Sequence, residues 1–258
     1  MKQYKGYLID LDGTMYRGHQ PIDGASTFIE WLSQRKIPYL FVTNNSSVTK
    51  ESVADKLQDM NIRASADRVI TSSDAAVHYI KRIESNPKVY MIGEEGLRVA
   101  LNVNDVPITN QKDANIVLIG LDRHITYEKL ATAALAVQNG ALLISTNQDA
   151  AIPSEHGFVP GNGSLTSVLS VSTGIDPIFI GKPETIMLEN ALEQLNAAKE
   201  DVIFVGDNYN TDITAGIRAK IDTLMVFTGV TRPEDLSNVN RQPTYRVNNL
   251  REWIKLRD

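Results

Sequence analysis

Short apolar runs rich in β-branched residues alternate with amphipathic helical patterns along nearly the whole chain. Apolar side chains three and four positions apart predict helices at residues 26–35, 50–60, 127–137, 184–195 and 250–256. The apolar runs predict strands at residues 7–9, 37–42, 89–92, 116–119, 141–144, 178–180, 202–205 and 223–227. Strands connected through helices are parallel and covered on both faces. The pattern therefore predicts an α/β fold with a doubly wound parallel sheet, which binds ligands beyond the carboxyl ends of its strands.

The first apolar run ends in two aspartates, Asp10 and Asp12, which are followed by Gly13 and Thr14. Where the strand gives way to a loop, both carboxylates can reach one pocket, and Gly13 lets the backbone turn and present amides to an anion. Asp-Gly is also a common turn signal, so this motif alone fits a simple turn equally well.

Two further strand ends carry groups that can bind phosphate. One run opens into Thr43 and Asn44, whose hydroxyl and amide can hydrogen-bond to phosphate oxygens, and another is followed by Lys182. Turn residues and a surface lysine would explain each segment taken alone. A nucleotide-binding P-loop is excluded, because no glycine stands five residues before Gly181 and Pro183 follows the lysine.

The fourth strand end carries Asp207 and Asn208, with Asp212 five residues beyond Asp207. Asp207 comes directly after four apolar residues and a glycine, so it must lie at the edge of the sheet beside other strand ends. Asp212 could simply cap a helix. Together with the first two aspartates, these acids indicate a site for a hard cation.

Taken in order, the four segments resemble the haloacid dehalogenase (HAD) superfamily, whose pattern is DxDGT, a strand-ending Ser or Thr, Lys, and GDxxxxD. They resemble more narrowly its NagD-like, or para-nitrophenyl phosphatase-like, sugar-phosphate and nucleotide phosphatases. The resemblance implies a HAD-like Rossmannoid core formed by residues 1–80 and 177–258. It also implies an inserted α/β cap domain at residues 81–176, which in the family closes over the active site and supplies substrate specificity.

The resemblance further implies a Mg²⁺-dependent phosphomonoester hydrolase that works through an aspartyl-phosphate intermediate. Asp10 would be the nucleophile, and Asp12 the acid that protonates the leaving oxygen and then the base that activates water. The phosphate would be bound by Thr43, Asn44 and Lys182.

The metal ion would be held by the carboxylates of Asp10 and Asp207 and the backbone carbonyl of Asp12, with Asn208 and Asp212 supporting that site. Two polar segments of the cap contain Asn147, Asp149 and Asn162. Similar loops face the substrate in the family, which makes these residues candidate substrate contacts, although their composition also fits plain turns.

Several functions share parts of this pattern. A phosphomutase forms the same aspartyl-phosphate and returns the phosphoryl group to a sugar. A non-catalytic phospho-metabolite-binding or signalling protein needs no intact set of acids, and a phospho-accepting receiver is a single small domain. A dehalogenase needs neither Asp12 as an acid nor the acidic cluster. The hydrolase remains the preferred interpretation, acting on nucleoside monophosphates, sugar phosphates and, in vitro, para-nitrophenyl phosphate.

The composition limits which binding partners and which cellular location are expected. The net charge of −5 disfavours nucleic acids and anionic membranes, and the absence of cysteine excludes disulfides and thiolate chemistry. No apolar run approaches the length of a membrane span, and the N-terminus lacks the apolar core of a signal peptide. We expect a cytoplasmic enzyme that acts on small phosphorylated molecules. The oligomeric state is open, and homodimerisation through the cap is known among similar proteins.

Overall fold

The computed structural model describes residues 2–154 and 156–258 and contains two compact α/β units. The first unit comprises residues up to 43, 50–70 and 182–258, and the second comprises residues 44–49 and 71–181. The strands are β1 (Gly6–Ile9), β2 (Tyr16–Arg17), β3 (Gln20–Pro21), β4 (Tyr39–Thr43), β5 (Val69–Thr71), β6 (Val89–Ile92), β7 (Ile108–Thr109), β8 (Ile116–Ile119), β9 (Leu142–Ser145), β10 (Ala151–Ser154), β11 (Gly157–Pro160), β12 (Ile178–Phe179), β13 (Val202–Gly206), β14 (Asp222–Val226) and β15 (Tyr245–Val247).

The α-helices of the described residues are α1 (Ala25–Gln34), α2 (Lys50–Asp59), α3 (Ser72–Ile83), α4 (Glu95–Val103), α5 (Tyr127–Gln138), α6 (Asn162–Thr173), α7 (Ile186–Leu195), α8 (Thr214–Ala219) and α9 (Leu250–Arg257). Short 3-10 turns occupy Ala66–Arg68, Lys199–Asp201 and Pro233–Asn238, and a π-helical turn at Tyr209–Ile213 leads into α8. None of these helices is both long and apolar enough to cross a membrane.

The sheet of the first unit has the strand order β15-β14-β13-β1-β4-β5. Strand β1 is parallel to both of its neighbours, with Ile9 opposite Val205 on β13 and Phe41 on β4. The chain first builds β4 and β5 on one side of β1 and later adds β13 to β15 on the other. The direction of winding therefore reverses beside β1, which is where sheets of this kind bind ligands.

An aromatic cluster anchors helices α1 and α9 of the first unit. The Phe28 ring lies 5.6 Å from that of Tyr7 and is stacked on that of Trp31 with 6.1 Å between centroids. Trp253 of α9 is fully buried, and its indole N–H donates to the Tyr7 hydroxyl at 3.3 Å. Aromatic pairs at these distances add to the stabilisation from burial alone. They fix the two helices on the sheet.

The second unit contains a five-stranded sheet with the order β12-β9-β8-β6-β7, and each of its described pairings is parallel. Its core joins Val117 and Ile119 of β8 to Ala133 of α5 and Leu169 of α6. An antiparallel hairpin, β10–β11, precedes α6. This unit contains residues 81–176, where the sequence predicts an inserted α/β cap.

The predicted fold class is confirmed. All eight predicted strands and all five predicted helices are present, with ends within two residues of those expected. Helix α7 begins at Ile186 rather than at residue 184, a difference within the usual uncertainty of helix ends. Helices α3, α4, α6 and α8 were not among those predicted.

The limits of the cap remain a prediction. The expected boundary at residue 81 falls inside helix α3, whose Val77 and Ile80 are fully buried and which packs against α4. The second compact unit extends from residue 71 to 181 and also includes residues 44–49, whereas the expected insertion ran from 81 to 176. A helix packed on the cap belongs to the same compact body, so the unit is longer than the expected insertion.

Replacing Phe28 with alanine should destabilise the first unit. The ring is fully buried between Tyr7 and Trp31, so its removal leaves a cavity and should lower the free energy of unfolding by about 3–5 kcal/mol. Urea unfolding followed by circular dichroism measures this loss. Glu30→Ala, at an exposed position of the same helix, is the control, and equal midpoints for the two variants would contradict the prediction.

Candidate active site

The carboxyl ends of β1, β4 and β13 lie side by side and carry the predicted site residues of the first unit. Asp10 follows β1, Thr43 is the last residue of β4, and Asp207 follows β13. The Asp10 N–H donates to the carbonyl of Val205 at 2.9 Å, which extends the ladder between β1 and β13 by one residue. The parallel register thus brings together residues almost two hundred positions apart.

Three carboxylates and one ammonium group form a buried cluster at this edge. The carboxylates of Asp10, Asp207 and Asp212 offer oxygen atoms that all lie within 4.8 Å of one another. Lys182 Nζ is 2.5 Å from Asp10 Oδ1 and 2.8 Å from Asp212 Oδ1, and it donates to the Val42 carbonyl at 3.2 Å. All four charged residues are more than nine-tenths buried. The cluster therefore has an excess of negative charge.

Neighbouring groups orient these carboxylates. The Thr14 hydroxyl lies 3.2 Å from both Asp10 Oδ2 and Asp207 Oδ1. The backbone N–H of Val230 donates to Asp207 Oδ2 at 2.7 Å, and the N–H of Asn208 donates to Asp212 Oδ2 at 3.0 Å. Asn208 thus supports the cluster through its backbone, while its side-chain oxygen accepts from the N–H of Asn210.

Glycines allow the backbone to approach the carboxylates closely. A Cβ atom added at Gly229 would lie 1.8 Å from Asp207 Oδ2, and one at Gly13 would lie 2.4 Å from the same atom. Gly13 also has a φ of +88°, a conformation that favours glycine. The backbone around Asp207 therefore leaves no space for a side chain at either position.

The electrostatics follow from burial and from this excess charge. Burial raises the pKa of Asp10 well above its ordinary value, the Asp212 carboxylate raises it further, and Lys182 opposes both effects. Burial also raises the pKa of Asp207 to about 6, again with a contribution from Asp212. For Lys182, burial alone would lower the pKa, but the charges of Asp10 and Asp212 outweigh it and the pKa is raised. The ammonium group thus stays charged at neutral pH.

The cluster is suited to a divalent metal ion. Its ligands are carboxylate oxygens, which hard cations prefer, and they converge within one site. A cation bound there would offset the negative charge that Lys182 alone leaves unbalanced. Asp212, predicted only to support the metal site, is itself a member of this carboxylate cluster.

Asp12 lies outside the cluster, in an exposed position. It pairs with Tyr16 in an isolated β-bridge, and the ring of Tyr16 lies 3.9 Å from the ammonium of Lys56. Partial loss of hydration raises the pKa of Asp12, whereas the charges of Lys56 and Arg17 lower it, and the net pKa is raised. Lys56 lies outside the four sequence motifs, at a polar position of helix α2, and its role was not predicted.

The remaining predicted residues lie in the second unit, as part of a hydrogen-bonded cluster. Asn44 Nδ2 is 3.3 Å from each carboxylate oxygen of Asp149, and Asn147 Nδ2 donates to the Asn44 carbonyl at 2.8 Å. The side chain of Asn162 is buried, and its Nδ2 donates to Ser145 Oγ and to the Asn147 carbonyl, both at 2.9 Å. The predicted contacts of these cap residues with substrate stay predictions.

Two family profiles match the chain, a haloacid dehalogenase-like hydrolase profile over residues 7–106 and a HAD-hydrolase-like profile over residues 179–253. The 5'-nucleotidase YutF of Bacillus subtilis is 52% identical over 98% of this chain and 99% of its own length. An acid sugar phosphatase of Staphylococcus saprophyticus is 51% identical over 99% of this chain and 98% of its own length. The structure of NagD from Escherichia coli K-12 matches with a TM-score of 0.92 and 28% identity over 97% of this chain and 98% of that one.

The chain therefore belongs to the haloacid dehalogenase-like hydrolases, as its four motifs indicated. Within that superfamily it is a phosphatase of the NagD-like group.

The stability of the metal-free chain should fall as the pH rises through the titration of Asp207. Its pKa is 3.8 in the reference state and about 6 in the folded chain, so the folded state binds the proton more tightly. The resulting stabilisation is complete below the lower value and is lost as the pH passes the higher one. With chelator present, the free energy of unfolding should be about 1 kcal/mol lower at pH ~7.5 than at pH ~5.

Thermal unfolding at the two pH values measures this difference. Asp207→Asn should make it smaller, and added Mg²⁺ should restore stability at the higher pH. Equal or greater stability of the metal-free native chain at the higher pH would contradict the prediction.

Proposed function

We propose that the chain is a Mg²⁺-dependent phosphomonoesterase of small phosphorylated metabolites that works through an aspartyl-phosphate on Asp10. The observation that carries this proposal is the buried cluster of Asp10, Asp207 and Asp212 around the ammonium of Lys182. A chain does not need three buried acids with one opposing cation for its stability. Such a site can instead bind a metal ion and an anionic substrate together.

The reaction has two steps. In the first, a carboxylate oxygen of Asp10 attacks phosphorus, the ester P–O bond breaks, and the leaving oxygen takes a proton from Asp12. In the second, Asp12 accepts a proton from water, whose oxygen attacks the same phosphorus and releases phosphate and the Asp10 carboxylate. Dividing the hydrolysis in this way replaces one difficult displacement by two easier ones.

The remaining residues bind the phosphoryl group and its charge. The carboxylates of Asp10 and Asp207 and the backbone carbonyl of Asp12 would hold Mg²⁺, whose charge offsets the repulsion between an anionic nucleophile and an anionic phosphate. Lys182 contributes a second positive charge, and its contact with Asp10 supports that role. Thr43 and the Asn44 amide would bind the other phosphoryl oxygens.

The substrate class includes nucleoside monophosphates and sugar phosphates. Two relatives of nearly equal identity are named as a 5'-nucleotidase and as an acid sugar phosphatase, so similarity alone favours neither. We propose that the cap supplies the selectivity, because the core residues recognise only the phosphoryl group. A cytoplasmic location, expected from the composition, and a homodimer formed through the cap, known among similar proteins, are further proposals.

Asp10→Asn should abolish hydrolysis because an amide cannot act as the nucleophile. Phosphate release from nucleoside monophosphates, sugar phosphates and para-nitrophenyl phosphate would be measured with Mg²⁺ and with chelator. The native chain should release phosphate only with metal, and the variant should be at least ~10³-fold slower. No release from any compound, or a variant as active as the native chain, would refute the proposed function.

Asp12→Asn should separate the two steps. Para-nitrophenolate leaves without needing a proton, so the variant should release up to one equivalent of para-nitrophenol quickly and then stall for lack of a base. A sugar phosphate, whose leaving oxygen needs the proton, should give no rapid phase. Rapid-mixing kinetics measures both, and rapid steady turnover of either substrate would exclude the role of Asp12.

A further inference from the structure

Asn44 is bound on its backbone and its side chain by other residues of the second unit. Its carbonyl oxygen accepts hydrogen bonds from Ser72 Oγ at 2.6 Å and from Asn147 Nδ2 at 2.8 Å. Its side-chain Nδ2 lies 3.3 Å from both carboxylate oxygens of Asp149. A Cβ atom added at Gly181 would lie 2.6 Å from Asn44 Oδ1, so the backbone closely approaches the side chain here as well.

The loop that carries Asn147 and Asp149 is itself fixed. The Asp149 N–H donates to Asn147 Oδ1 at 3.1 Å, and the backbone carbonyl of Asn147 accepts from the buried amide of Asn162 at 2.9 Å. A Cβ atom added at Gly161 would lie 2.2 Å from the Asp149 carbonyl oxygen. The loop is thus packed against the start of α6, which fixes where it presents the Asp149 carboxylate.

We propose that Asp149 is a positioning residue that orients Asn44 for phosphate binding. The proposal rests on the proposed function, in which Asn44 contacts the phosphoryl group. The Asp149 carboxylate carries a negative charge, which disfavours direct contact with a phosphate dianion, whereas its two oxygens accept the Asn44 amide in a charge-assisted hydrogen bond. Asn147 supports the same arrangement from the carbonyl side of Asn44.

This role differs in its consequences from substrate selection. A residue that contacts the leaving group changes the ranking of substrates when it is replaced. A residue that orients a phosphate ligand changes the binding of every phosphate monoester, and of inorganic phosphate, by a similar factor. Asp149→Ala should therefore raise KM about tenfold for all substrates, raise the inhibition constant of phosphate in parallel, and leave the ranking unchanged.

The experiment compares the native full-length chain with Asp149→Ala, Asp149→Asn, Asn44→Ala and the double variant Asp149→Ala/Asn44→Ala. Asp113→Asn removes a carboxylate that is exposed and paired with Lys88 in the same unit, and it serves as the matched control. The measurements are KM and kcat for a nucleoside monophosphate, a sugar phosphate and para-nitrophenyl phosphate, together with inhibition by phosphate. Circular dichroism establishes that each variant is folded.

We expect the double variant to be no weaker in phosphate binding than Asn44→Ala, because Asp149 acts through Asn44. Asp149→Asn should recover part of the loss, since its carbonyl oxygen can still accept the Asn44 amide. An altered substrate ranking with unchanged phosphate inhibition would overturn the proposal. It would also be overturned if the effects of the two single variants multiplied in the double variant. Neither result would contradict the proposed phosphatase activity. A native chain that releases no phosphate would instead remove the proposed function, and this inference with it.

Discussion

The burial of three carboxylates beside a single ammonium group is the interaction on which the rest of the site depends. Removing Asp10, Asp207 and Asp212 from water is unfavourable, and Lys182 forms ion pairs with Asp10 and Asp212. The local structure supplies hydrogen bonds to the remaining carboxylate, Asp207. Thr14 and the backbone N–H of Val230 satisfy the oxygens of Asp207, so the most isolated carboxylate is still hydrogen-bonded.

This arrangement requires a rigid support, and the parallel sheet provides it. The register of β1 against β13 and β4 fixes three strand ends at one level, and the aromatic cluster around Phe28 fixes helix α1 against β1. Side chains placed at the ends of regular elements are more precisely located than those on long loops. The fold therefore provides the geometry before any ligand binds, and the energy for the unfavourable cluster comes from the apolar core.

The secondary-structure elements and the main charged residues of the site could be predicted because both leave local patterns in the sequence. Strand and helix periodicity gave the fold, and an acid directly after an apolar run placed Asp10 and Asp207 at one edge of the sheet. The contacts of Thr14 and Val230 with Asp207 were not predictable, because hydrogen bonds to a carboxylate 193 and 23 positions away leave no periodic signal. The start of α3 was readable in retrospect, since Thr71 and Asp74 form a capping box. The grouping of residues 44–49 with the second unit depends on tertiary contacts, which leave no local pattern in the sequence.

The exposure of Asp12 bears on how selective the core of this enzyme can be. Asp10, the proposed nucleophile, lies in a buried cluster, whereas Asp12, the proposed acid for the leaving oxygen, is exposed. In the proposed mechanism, the first unit would therefore enclose the phosphoryl group at Asp10 and leave the leaving oxygen near the exposed Asp12. A catalytic core built in this way imposes little steric discrimination on the alcohol it releases. If the proposed roles hold, broad tolerance of substrates would be intrinsic to the core, and narrow selectivity would be an addition that evolution can make or discard without altering the chemistry.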